Sequence, residues 1–132
     1  MKTVSSFESV TLRENGMRGS WEYEILPKGE GAQVSRYDYR YTEGQECRVL
    51  IRQAVCGADR ILRLLNGCAV LSWNGFHGAH PRGVLDGIAF SFSALLNGDT
   101  PVKAEGSQNF PRRYREFTDG LYQILQEGEA FD

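Results

Sequence analysis

Three runs of this chain place apolar side chains at every second residue, and that period forces a sheet. Trp21, Tyr23 and Ile25 alternate with Glu22 and Glu24. Ala32–Tyr41 sets Tyr37, Tyr39 and Tyr41 on one strand face, with Arg36, Asp38 and Arg40 on the other. Ile88, Phe90, Phe92, Ala94 and Leu96 alternate with Ala89, Ser91 and Ser93. Successive side chains of a strand point to opposite faces, so each run predicts a strand with one buried side. Phe7–Leu12 follows the same rule more weakly. Asn15-Gly16, Pro27–Gly31 and Asn97-Gly98-Asp99 are turn signals, because Gly and Asn accept the backbone angles of tight reversals. The alternation resumes at Val102 and Ala104, and Pro101 places that strand at an edge or at its own start.

The segment 46–65 fits two periods. Leu50, Ala54, Ala58, Ile61 and Leu65 fall at helical spacing, whereas Cys47, Val49 and Ile51 alternate with Arg48 and Arg52. An interior Gly57 would cost one long helix about 1 kcal/mol. The segment therefore divides into a strand near 46–55 and a short helix near 58–66, stopped by Asn66-Gly67. From Pro111 to Glu127, Tyr114, Phe117, Leu121, Ile124 and Leu125 share one helical face. Pro111 suits a first turn and Gly128 the residue past the end, while Gly120 weakens the middle. The expectation is an α+β domain over residues 1–132. Its mostly antiparallel sheet has about five or six strands, with a short middle helix and a C-terminal helix packed on one face.

Composition narrows the functional classes. The 132 residues suffice for one core without a disulfide or metal. Fifteen basic against 17 acidic residues lack the basic excess of a general nucleic-acid binder. No run approaches the roughly 18 apolar residues of a membrane span. Cys47, Cys56 and Cys68 are odd in number and widely spaced, which predicts reduced thiols and a cytoplasmic location. Twelve of the basic residues are Arg. GC-rich codon usage accounts for that bias, and so would recognition of carboxylate or phosphate by a planar fork.

Two constellations remain as candidate sites. Trp73–Asp86 holds both histidines of the chain with two aromatics and several glycines, and offers Trp73, Asn74, Phe76, His77, His80, Arg82 and Asp86. It reads either as a binding loop or as an ordered loop whose Trp73 and Phe76 plug the core while the histidines bond backbone groups. A metal or Cys–His hydrolase reading of His77, His80, Asp86 and a cysteine lacks supporting motifs, and no cofactor is expected. The second constellation is Ser107, Asn109, Arg112 and Arg113, leading into the last helix. Arg112, Arg113 and Arg115 in a first helical turn oppose the helix dipole, which points to an anion, an acidic partner or salt bridges. The Tyr37/Tyr39/Tyr41 stripe reads as cross-strand packing, with no basic residue interleaved on its face.

The stretches SWNGFHGAHPRGVLDGIAF and LLNGDTPVKAEGSQNFPRRYREF resemble a pattern in small uncharacterised bacterial proteins. The shared features are Trp-x-Gly-Phe, an Asp-Gly before a strand, Asn-Gly at a turn, and Gly-Ser-x-x-Phe-Pro before a terminal helix. The resemblance covers the C-terminal half and implies one domain there, not an activity. The expected function is a small, soluble, non-enzymatic binding or interaction module of regulatory or inhibitory kind. The alternative is a protein that binds a small ligand or nucleotide through an anionic group. The expected partner is a protein or a small anionic ligand, not nucleic acid in general and not a membrane.

Overall fold

Four long strands follow one another through residue 57, each turning back on the last. In a computed structural model that describes residues 2–84 and 87–130, they are β1 (Phe7–Gly16), β2 (Gly19–Lys28), β3 (Gly31–Thr42) and β4 (Gln45–Gly57). Then come α1 (Ala58–Gly67), a 3-10 turn at Val70–Trp73, β5 (His77–Gly78), β6 (Ala89–Leu96), β7 (Thr100–Ser107), α2 (Tyr114–Gln126) and β8 (Glu129–Ala130). The strand–helix division at Gly57 and the Asn97-Gly98 turn stand as the sequence predicts. Asn97 and Gly98 have φ of 54° and 81°, the left-handed pair of a tight hairpin. The first turn falls later than expected: Asn15 and Gly16 still pair, with Ser20 and Gly19, so Met17-Arg18 makes the reversal.

Among the described residues the sheet has eight strands in the order β5-β7-β6-β1-β2-β3-β4-β8, not five or six. The two extra strands are β5 and β8, each of two residues, too short to leave a period in the sequence. β5 runs parallel to β7 and makes a largely antiparallel sheet mixed. No helix among the described residues is long and apolar enough to cross a membrane.

Register fixes which face is buried. Val10 lies opposite Ile25 and Ala94, and Leu12 opposite Tyr23 and Phe92, so these residues share the face on which α1 and α2 pack. Ile25 pairs with Val34, and Tyr23 with Arg36. Arg36 and Asp38 therefore sit on the helix side, while Tyr37, Tyr39 and Tyr41 occupy the open face. The tyrosines are thus not the inward side of β3. The apolar residues of β3 on the core side are Ala32 and Val34, and the strand then runs beyond them.

Trp73, Phe92 and Phe117 form a triangle of edge-on rings, with centroids 5.0, 5.5 and 5.9 Å apart. Trp73 is 1% exposed, and its Nε1 donates to the Arg112 carbonyl at 3.1 Å. α2 adds Leu121, Ile124 and Leu125 to this core, and α1 adds Ile61 and Leu65. Gly120 marks where the helices meet, because a Cβ there would lie 2.5 Å from Leu64 Cδ1. The glycine that weakens α2 in isolation lets it approach α1. Burial of the indole sets a stability test: Trp73→Ala is expected to lose about 3–5 kcal/mol in a urea titration. Arg82→Ala, at an exposed position, should lose about 0.5 kcal/mol or less. A loss below about 1 kcal/mol at Trp73 would contradict its place in the core.

Candidate functional site

Because strand neighbours along a sheet row point the same way, the register lists what the open face presents. Asn15 lies opposite Ala89, and Ala89 opposite Ser107. One row further, Arg13 lies opposite Ser91, Ser91 opposite Glu105, and Glu105 beside His77. In the third row Thr11 faces Ser93, and Ser93 faces Lys103. In these three rows the middle strand carries Ala89, Ser91 and Ser93, so a trough runs along this part of β6, short of Leu95. Its walls stand about 10 Å apart at the backbone, two strand spacings. Two hollows of about 430 Å³ each occupy it and share His77, Ser91 and Glu105.

Both histidines stand on one wall. His77 Nδ1 lies 3.1 Å from Glu105 Oε1, and His80 Nδ1 lies 2.8 Å from Ser107 Oγ. His80 Nε2 is 2.5 Å from the Val84 carbonyl, which can only accept a proton. That contact places a ring proton on Nε2, and in the neutral ring the Ser107 hydroxyl then donates to Nδ1. The loop is tied to β7 and to the residues just after it. Asn74 Oδ1 accepts the Lys103 amide at 3.0 Å, and Asn109 Nδ2 donates to the Ala79 carbonyl at 3.3 Å. Gly106 permits the second tie, since a Cβ there would run into the Asn109 carbonyl. Phe76 is partly buried and packs 6.1 Å from Phe90, while Arg82 is exposed. Asp86 lies outside the described residues. The loop accordingly divides: Trp73 and Phe76 plug the core, and His77 and His80 remain on the surface.

The second predicted constellation does not converge. Ser107 and Asn109 hold the loop, whereas Arg113 Nη1 donates to the Gly67 carbonyl at 2.7 Å. Arg112 and Arg113 both border a hollow of about 270 Å³ with Cys68, Ala69 and Ser72, which neither Ser107 nor Asn109 lines. Only Arg115 belongs to the first turn of α2, which begins at Tyr114. Pro111 closes a turn by accepting the Tyr114 amide, and Arg113 sits before the helix with a φ of 67°. Cys68 is buried, and burial pushes its thiol up.

The other half of the open face is occupied by its own side chains. The Arg13 guanidinium lies 3.8 Å from the Tyr39 ring centre, and that of Arg48 lies 3.8 Å from Tyr37. Glu22, 8% exposed, accepts from Tyr39 Oη at 2.8 Å and from Arg48 Nη1 at 2.9 Å. Basic residues do interleave with the tyrosine stripe, but they come from β1 and β4, where the sequence of β3 alone does not reveal them.

A further group escapes the sequence reading altogether. Continuing the alternation of Val10 and Leu12 leads to Glu14, which faces the core side opposite Trp21 and Phe90. Its carboxylate accepts from Trp21 Nε1 at 2.6 Å and from Tyr114 Oη at 2.5 Å. It forms the floor of a cleft of about 510 Å³ between the sheet and the start of α2. An acidic residue at the next core-facing position of β1 is the signal that could have found it. Comparison with protein-family models and with curated proteins returns no match.

Burial first, then the hydrogen bond to Glu14 and its negative charge, raise the Tyr114 phenol far above its ordinary 10.0. Tyr23 and Tyr39 are raised as well, both chiefly by burial. Above about pH 10 the unfolded chain loses phenolic protons that the folded protein keeps. The folded state then binds more protons, so this stability is full below about pH 10 and falls as pH rises. Urea midpoints measured between pH 8 and 11 should drop above pH 10. Tyr114→Phe should lower the midpoint at pH 8 and flatten the alkaline drop, and an unaltered slope would remove Tyr114 as its source.

Proposed function

We propose that this protein is a non-enzymatic binding module, regulatory or inhibitory in kind, that receives a polar segment of a protein partner in the β6 trough. One observation carries this reading. The edge pairing of β5 with β7 sets His77 and Glu105 in one row beside the exposed Ser91, with Lys103 one row along the same wall and Asn15 lining the far side. Donors and acceptors of both signs face a floor of small side chains, an arrangement suited to recognising a polar chain. His80 and Ser107 are engaged with each other and with the Val84 carbonyl, which supports recognition over a nucleophile in waiting. The anionic-ligand alternative needs Ser107, Asn109, Arg112 and Arg113 to act together, and three of these four side chains are bound to other parts of the chain.

Three unpaired cysteines, with Cys47 exposed, support a reducing compartment and hence the cytoplasm. The resemblance to small bacterial proteins bears only on the C-terminal segments belonging to one domain and adds nothing to the choice of partner. Trp73 and Phe76 of its pattern are core plugs, and Asn97-Gly98 is a turn.

Amide NMR against a library of short polar peptides tests the trough. Binders should shift Ala89–Ser93 and Lys103–Ser107 together. Ser91→Trp should abolish those shifts while changing stability by no more than about 0.5 kcal/mol, since the position is exposed. Binders that shift only the Tyr37–Tyr39 half, or that bind the Ser91→Trp variant as well as the unmodified protein, would overturn the reading.

A further inference from the structure

The cleft under the start of α2 lies on the opposite side of the sheet from the trough. It poses a separate chemical question, because its floor is a carboxylate that no cation among the described residues pairs with. Glu14 is 9% exposed, and both of its hydrogen-bond donors, the Trp21 indole and the Tyr114 phenol, are neutral. None of the ion pairs among the described residues involves it. Arg36, on the same face of the sheet, lies over the Trp21 and Tyr23 rings and pairs with Asp38 instead. A carboxylate offers about four acceptor positions, so about two are unfilled at the cleft floor. A buried charge without a counterion is unfavourable, and a ligand that brings the opposite charge with donors attached relieves it.

The walls state the rest of the ligand. Ile88, Phe110, Pro111 and Tyr114 line the cleft, and the Phe110 and Tyr114 rings stack with centroids 4.7 Å apart. Its volume of about 510 Å³ is that of a small-molecule site. At the mouth Arg115 and Glu116 offset each other in charge. Arg113 also borders the cleft, but its guanidinium is turned to the Gly67 carbonyl. The charge left facing a ligand is that of Glu14, which repels carboxylates and phosphates.

We propose that this cleft binds a small primary amine with an apolar, aryl-sized body, its ammonium donating to Glu14 and its body lying against Ile88 and Phe110. The assignment is independent of the trough and of any partner bound there.

The unmodified protein supplies its own reporter, since Trp21 Nε1 donates to the same carboxylate and Trp73 Nε1 is held by Arg112. The probe is 2-phenylethylamine, with 2-phenylethanol and 3-phenylpropionate as neutral and anionic counterparts. Calorimetry should give the amine an affinity at least tenfold above either counterpart, and the Trp21 indole resonance should move while that of Trp73 stays. Glu14→Gln should erase the preference for the amine. Ile88→Trp, which fills the cleft and leaves Glu14 intact, should abolish binding. Equal affinity for amine and alcohol, a stationary Trp21 resonance at millimolar amine, or amine binding retained in Ile88→Trp would each overturn the proposal. If Glu14→Gln does not fold, the Ile88→Trp result and the amine-to-alcohol ratio decide it alone.

Discussion

The burial of Trp73 is the contact on which the functional end of the molecule depends. Its ring fills the space between Phe92 of β6 and Phe117 of α2, and its Nε1 holds the Arg112 carbonyl just before the helix. One side chain therefore locks together three elements that are far apart in sequence. A buried indole without an acceptor would leave a polar N–H unsatisfied, so the position of residue 112 is set as firmly as the ring itself. Once Trp73 is fixed, Asn74 reaches the Lys103 amide and the chain is laid along the edge of β7. His77 and His80 come to the trough as a consequence of that anchoring, not through any structure of their own.

Glu14 makes the complementary tie on the other flank of the same helix start. Its two short hydrogen bonds join β1 to β2 through Trp21 and to α2 through Tyr114. Hydrogen bonds to a charged group contribute about 1.5–3 kcal/mol each, more than neutral ones. Against this stands the cost of holding a carboxylate away from water, which apolar packing at the same position would avoid. Phe90, its neighbour in the row, shows that the core at this point accommodates an aromatic ring. The retention of an acid beside that ring is hard to account for by packing alone.

The sequence discloses strands where a face is buried along several residues, as in Phe90, Phe92, Ala94 and Leu96. It discloses the division at Gly57 because an interior glycine penalises the one long helix that the apolar spacing through 46–65 would otherwise allow. It does not disclose β5 or β8, whose two residues are defined by their neighbours and not by their own pattern. The face of β3 is inverted relative to a simple expectation for the same kind of reason. Tyrosine is large enough to look like core, yet Val34 and Ala32 decide the parity, and Tyr37 and Tyr39 are satisfied on the open side by Arg48 and Arg13. By spacing alone the arginines at 112 and 113 fall in a helical turn, but Pro111 starts a turn of its own and displaces them from α2.

Site residues are harder to read than strands because a sheet assembles them across the chain. Asn15, Ala89 and Ser107 form one row, although β2, β3, β4, α1 and β5 all intervene between the first and the second. No local motif can record such a row. Adjacent residues, conversely, serve different sites: Glu14 faces the cleft and Asn15 the trough, since consecutive side chains of β1 point to opposite sides. A one-residue slip of β1 would exchange them, placing an amide under Tyr114 and a carboxylate beside the trough. The seven-residue pairing with β2, which sets Trp21 opposite Glu14, is what prevents that exchange. The specificity of both candidate sites is thus held by strand register, and register is written in the buried residues Val10 and Leu12, not in the polar ones that a search for function would select.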